Sequence, residues 1–326
     1  MKAFRKKYGK GYPVIPAAVV LFAGILLLAF SGNVSAQSTL NVIKVKRAKD
    51  CHRFFQYAGK DIPIISGHRG GAIRGFPENS IECFENVLKH TPAFFEIDPR
   101  LTRDSVAVLM HDATLERTSG GTGKVSDYTW AELQQFRLKD SEGNLTDFRI
   151  PTLEAVIEWA RGKTILNLDR KDVPPEVTAA LIKRMKAEAF VMITVHNPEQ
   201  AMFYHREIPS VTFSAHVLTK EAFHAYDKAG FPWKQSIVYI GPKVKPENRE
   251  LYGLIHARGA TCMISAAPTY DRLENAAERK QAYIDVFNDG ADILESDLPI
   301  EVGEAVKAIM PAKAKKKKYF GTMMVK

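Results

Sequence analysis

IPIISGHRGGAIRGFPENSIECFENVLKHTPAFFEIDPRLTRDSVAVLMHD (62–112) contains three short apolar runs, the first two separated by one helical pattern. The first run closes with Ser66-Gly-His68-Arg69-Gly70-Gly71 and the second with Glu96-Ile-Asp98. Continuous apolar runs bounded by turn residues are the pattern of parallel strands buried on both faces. Between them, Asn79 and Ser80 offer an N-cap to a helix whose Ile81, Phe84 and Leu88 fall on one side.

The same unit repeats along the chain. Strands are expected at 62–66, 94–98, 106–111, 164–169, 191–196, 211–216, 237–240, 261–265 and 292–296. The segments between them carry helix-end signals, among them the capping box Thr129-Trp-Ala-Glu132 and the cap Asn197 before Pro198. Such alternation argues for an α/β fold of the TIM (β/α)8 barrel type. No GxGxxG follows the first strand, which removes a dinucleotide-binding reading. Nine candidates compete for eight positions, and the expectation is that 211–216 or 237–240 lies outside the barrel. Residues 98–106 leave no room for a helix, so an extended crossover is expected there. Residues 113–148 then read as an insertion after the third strand, and long excursions of this kind are usually functional.

The chain has 326 residues and a formal charge of +9. Residues 1–36 carry five basic and no acidic residues, and residues 313–326 carry six basic and no acidic residues. Removing both contributions from +9 leaves the body at −2. That balance gives no electrostatic footprint for nucleic acid. Residues 1–36 combine basic residues, the apolar run AAVVLFAGILLLAF (17–30) and a small-residue ending at Ala36. This is the pattern of an export signal, cleaved at Ala36–Gln37 or retained as an anchor. Either outcome places the mature chain outside the cytoplasm, in the periplasm or secreted. A polar lead-in (37–60), a barrel domain (61–310) and a basic tail (311–326) follow. The tail reads either as a solvated end or as a contact for an anionic membrane surface. Cys51, Cys83 and Cys262 lack metal-site spacing, and one disulfide among them stays open. Nothing in the sequence sets an oligomeric state.

In a barrel of this class, functional side chains stand at the C-terminal ends of the strands. Reading those ends in order gives His68 and Arg69, then Glu96 and Asp98, then His111 and Asp112, then Asp169 and Lys171. Glu96 and Asp98 are two apart and so leave one face of a strand. Paired carboxylates repel unless a cation lies between them. Asp169 would add a third oxygen, and an all-oxygen set suits Mg²⁺ or Ca²⁺. A divalent cation facing Arg69 and Lys171 makes a receptor for phosphate. His68 and His111 are suited to a general acid/base pair, because imidazole titrates near neutral pH. Glu78 is a further candidate near the metal, and His196 a candidate contact for the headgroup. Asn79 reads mainly as a helix cap.

These motifs together resemble the glycerophosphodiester phosphodiesterase family. The matching stretches are HRGGAIRGFPENS (68–80), FEIDPRLTRDSVAVLMHDATLERTSGGTGKVSDYTWAEL (95–133), IPTLEAV (150–156), LNLDRK (166–171) and GADILESDLP (290–299). The resemblance implies a TIM barrel with an insertion after the HD motif. It also implies hydrolysis of glycerophosphodiesters to glycerol phosphate and an alcohol with one divalent cation. Under it, His68 and His111 are the acid/base pair, Glu96 and Asp98 metal ligands, and Arg69 and Lys171 phosphate contacts. Asp169 stands where the family usually has Glu. Two other readings remain at this point: a phospholipase C-like lyase that forms a cyclic phosphate, and a non-catalytic protein that binds phosphate headgroups.

Overall fold

A computed structural model describes residues 38–325. The export signal expected at 1–36 lies outside the described residues.

Eight parallel strands close into a barrel in chain order: Ile64–His68, Phe94–Ile97, Leu166–Leu168, Val191–Val195, Thr212–His216, Ser236–Tyr239, Thr261–Ser265 and Ile293–Ser296. The last pairs with the first, Ile293 opposite Ile64, so no edge is left open. A helix packs outside after each strand, and sequence-local caps start several of them. Ser80 accepts from the Cys83 N–H, Asn197 from Gln200, and Thr219 from Ala222. Ser80 rather than Asn79 is therefore the cap of the first of these helices.

The run at 106–111 is the one that does not join the barrel. Ala107–Leu109 folds back antiparallel on Pro99–Leu101, with Pro99 opposite Leu109. The reason is chain length, since a parallel crossover needs a dozen or more residues and a short link permits only a hairpin. Both 212–216 and 236–239 are barrel strands, which corrects the expectation that one would be excluded. The insertion accordingly leaves after the second barrel strand, not the third. It holds a second antiparallel pair, Arg137–Lys139 with Leu145–Arg149, and its own apolar cluster around Val108, Leu115, Leu133 and Leu138.

The lead-in and the basic tail also differ from expectation. Ser38–Ile43 pairs antiparallel with Phe320–Val325, so both are ordered parts of the fold. With the helix Ala48–Phe55 they pack aromatic rings against the barrel, Phe55 lying edge-on to Phe94 at 5.3 Å and Phe54 to Tyr319 at 5.6 Å. Lys316 is buried and donates from Nζ to the carbonyls of Phe54 and Gln56. Cys51, Cys83 and Cys262 are buried free thiols, which removes the disulfide left open above. Among the described residues, no helix is long and apolar enough to cross a membrane.

Candidate active site

The first strand ends at His68, and the chain then turns sharply through Arg69, Gly70 and Gly71, with φ of +54°, +92° and +125°. Glycine is required at the second of these positions. A Cβ on Gly70 would lie 2.8 Å from the Phe84 ring, at a φ that disfavours side chains. The turn delivers the Arg69 N–H to Glu96 Oε2 at 3.2 Å. It also brings Asn79, at φ +57° and buried, across to the second strand. Asn79 Nδ2 donates to Asp98 Oδ2 (2.7 Å) and its Oδ1 accepts from the Asp98 N–H (3.1 Å).

Glu96, Asp98 and Asp169 converge so that one oxygen of each lies within 4.8 Å of the others. The shorter Asp169 thus still reaches the cluster. Lys171 Nζ stands 3.0 Å from Asp98 Oδ1 and 2.6 Å from Asp169 Oδ2, and Arg69 Nε is 3.7 Å from Asp98 Oδ2. Burial, then the charges of Asp98, Glu295 and Asp169, drives the Glu96 carboxyl well above its ordinary range. Asp169 is held low despite its burial by His196 and Lys171. Lys171 is raised because Asp98 and Asp169 outweigh its own desolvation. Three carboxylates this close need positive charge among them, and oxygen-only donors fit a hard cation. The residues present fit a divalent ion on that ground.

Both histidines carry a carboxylate on Nδ1. His68 Nδ1 is 2.7 Å from Asp297 Oδ1, and its Nε2 lies 4.0 Å from Glu96 Oε2. Burial disfavours the imidazolium of His68, but the hydrogen bond to Asp297 and the charge of Glu295 prevail and raise its pKa. Asp297 is fixed in turn by Arg272 at 3.1 Å and by its own N–H donating to Asp271. His111 Nδ1 is 2.7 Å from Asp112 Oδ1. Its carbonyl accepts two bonds from the Arg100 guanidinium, which fixes the backbone. Arg117 grips Asp112 at 2.6 Å and Glu78 at 2.8 Å, and Glu78 reaches Arg69 at 3.4 Å. The Arg117 hydrogen bond holds the Asp112 carboxyl far below its ordinary range.

A cavity of about 380 Å³ opens at this end of the barrel, lined by His68, Arg69, Glu96, Asp169, His216 and Glu295 among others. His196 Nε2 is 3.6 Å from Asp169 Oδ1, and its Nδ1 is 3.2 Å from His216 Nδ1. Two imidazoles at that distance cannot both be charged. Burial and His196 push His216 down to about 4, so it is neutral.

The structure therefore brings together His68, Arg69, Glu96, Asp98, Asp169, Lys171 and His196. His111 does not line the cavity and is joined to Arg69 through Asp112, Arg117 and Glu78. Glu78 is outside the carboxylate cluster and serves as the middle of that ionic chain. Asn79, Asp297 and Glu295 escaped the sequence reading in these roles. Glu295 lies on the last strand and Asp297 directly after its end, each 229 residues from the partner it bonds on the first, and no local spacing signals such a contact.

Residues 68–244 match the family model for the glycerophosphoryl diester phosphodiesterase family. A crystal structure of a glycerophosphoryl diester phosphodiesterase from Parabacteroides distasonis is 56% identical, with a TM-score of 0.86, over 87% of this chain and 100% of that one. Glycerophosphodiester phosphodiesterase 1 of Bos taurus is 35% identical over 36% of this chain and 36% of its own. A glycerophosphodiester phosphodiesterase of Caldanaerobacter subterraneus is 33% identical over 39% of this chain and 54% of its own. The chain thus spans about half or less of the length of these curated relatives. With the closed barrel and its strand-end residues, these matches establish that the chain belongs to the glycerophosphoryl diester phosphodiesterase family.

Proposed function

We propose that the protein is a divalent-cation-dependent hydrolase that cleaves glycerophosphodiesters to glycerol phosphate and an alcohol. The observation that carries this reading is the convergence of Glu96, Asp98 and Asp169 beside Lys171, Arg69 and the Asp297-held His68. The three carboxylates would hold Mg²⁺ or Ca²⁺, which when bound neutralises charge on phosphoryl oxygens. Arg69 and Lys171 orient the anionic diester. Asp297 accepts the Nδ1–H of His68, which leaves Nε2 free to give or take a proton. Asp112 does the same for His111. One imidazole takes the proton of the attacking water, and the other returns a proton to the leaving oxygen, so the proton count closes over one turnover.

The test is a panel of glycerophosphodiesters assayed with Mg²⁺, Ca²⁺ and chelator, with products followed by phosphorus NMR. Glycerol phosphate that appears only with a cation supports the proposal. A persistent cyclic phosphate would make the protein a lyase instead, and binding without turnover would make it a headgroup receptor. Export is a second part of this reading, supported by the basic, apolar and small-residue order of 1–36. N-terminal sequencing of protein from the cell exterior or periplasm should begin at Gln37. A start at Met1 in a membrane fraction would indicate a retained anchor.

A further inference from the structure

Barrel interiors of this fold are ordinarily filled by branched apolar side chains. Here the layer one strand period below the mouth is polar. Ser66, Glu96, Asn167, Thr194, Ser214 and Glu295 each precede by two residues His68, Asp98, Asp169, His196, His216 and Asp297. Alternation therefore turns them to the same side as those mouth residues. All six are buried, none more than 7% exposed. Five of them, all but Ser66, line the 380 Å³ cavity that also reaches His68, Arg69 and Asp169.

Their mutual hydrogen bonds are too few. Thr194 Oγ1 donates to Asn167 Oδ1 at 3.0 Å, and Ser66 Oγ donates to Glu295 Oε2 at 3.2 Å. Ser214 Oγ, in a residue only 1% exposed, has no partner. Glu295 forms no ion pair with a Lys or Arg among the described residues, and the His68 imidazole and Ser265 are its other polar neighbours. A buried hydroxyl without a partner is costly unless something in the cavity bonds it. Neither Ser214 nor Glu295 belongs to the carboxylate cluster, although the charge of Glu295 acts on Glu96 and His68.

We propose that this well is a hydroxyl-reading subsite, with Glu295 as its main acceptor and a specificity-determining residue. The inference rests on the proposed function above and extends it to the substrate arm that enters the barrel. A hydroxylated arm offers donors to the remaining acceptor capacity of Glu295 and an acceptor to the orphaned Ser214 hydroxyl. A quaternary ammonium arm would leave the Ser214 hydroxyl unpaired, and Tyr239 is the one aromatic ring lining the cavity besides the imidazoles. The hydroxyls belong either to the glycerol moiety or to a polyhydroxylated leaving alcohol, and the experiment separates these.

The full chain is assayed for kcat/KM with cation present on three substrates. These are glycerophosphoethanolamine, its analogue lacking the terminal glycerol hydroxyl, and glycerophosphoinositol. Wild type is compared with Glu295→Leu, Glu295→Gln and Ser214→Ala. If the well reads glycerol, wild type disfavours the deoxy analogue by at least about tenfold, because a site built to bond a hydroxyl is left unpaired without it. Glu295→Leu then collapses that ratio to within about twofold, and Glu295→Gln, whose amide oxygen still accepts, falls between. If the well reads the leaving alcohol, the inositol-to-ethanolamine ratio collapses instead. Ratios in Glu295→Leu and Ser214→Ala that equal wild type, with turnover retained, overturn the inference. Should Glu295→Leu not fold, as judged by circular dichroism, Ser214→Ala carries the same comparison. A wild type without turnover on any diester defeats the proposed function. In that case calorimetric binding of glycerol 3-phosphate against its deoxy analogue still tests the well, and equal affinities overturn it.

Discussion

His68 and His111 carry the same device in different surroundings, a carboxylate 2.7 Å from Nδ1 that is itself pinned by arginine. The carboxylate fixes the tautomer and aims Nε2 at its task. Asp297→Ala should therefore lower kcat about 10- to 100-fold with little change in KM, measured by steady-state assay on the best diester. An unchanged kcat would show that Asp297 does not orient the imidazole. Asn79 does comparable work for Asp98, bonding both its carboxylate and its N–H. Asn79→Ala should weaken apparent cation affinity about 10- to 100-fold in a metal titration of activity, with maximal rate recovered at saturating cation. The strand-end motifs were legible because their members are neighbours in sequence. Asn79 was read as a cap because an Asn-Ser pair before an apolar helix satisfies that rule locally, yet tertiary contact gave the cap to Ser80 and the carboxylate to Asn79.

The insertion between the second and third barrel strands is the element that presents His111, and it has an apolar cluster separate from the barrel's. Leu133 is fully buried there. Leu133→Ala should cost about 2–5 kcal/mol within this cluster. The expected readout is faster proteolysis and hydrogen exchange across 99–150 and a loss of turnover, while barrel amides keep their protection. Loss of protection throughout the barrel would show that the insertion is no separate unit. Eight of nine expected strands belong to the barrel. The ninth, at 106–111, could not be told apart, because an apolar run reports burial on both faces and not the partner that buries it. The length of the link before it carried the missing information, since nine residues cannot make a right-handed parallel crossover.

Away from the site, the first and last described strands pair, and Lys316, just before the last of them, is buried against the carbonyls of Phe54 and Gln56. Burial lowers the Lys316 ammonium from its ordinary 10.5 to about 8. Below pH 8 both folded and unfolded chains hold this proton, and the cost of burying the charge is present in full. Between pH 8 and 10.5 the unfolded chain holds the proton that the folded chain has released, so stability rises with pH through that window. Urea unfolding of wild type against Lys316→Met isolates the effect. The wild type should gain on the order of 1–3 kcal/mol relative to the variant between pH 7.5 and 10. A difference that stays flat with pH would mean that the amine is not buried as drawn. The run of lysines at 313–318 gave no sign of this, because composition alone describes a solvated tail. What the sequence determined by itself was the barrel class and the identity of the groups at its strand ends, since each rests on short-range periodicity and adjacency. Tertiary structure alone decided that Asp297 holds His68, that Glu295 and Ser214 line a polar well, and that the first and last described strands pair. Those contacts join residues far apart in the chain, and only closure of the barrel sets their distances.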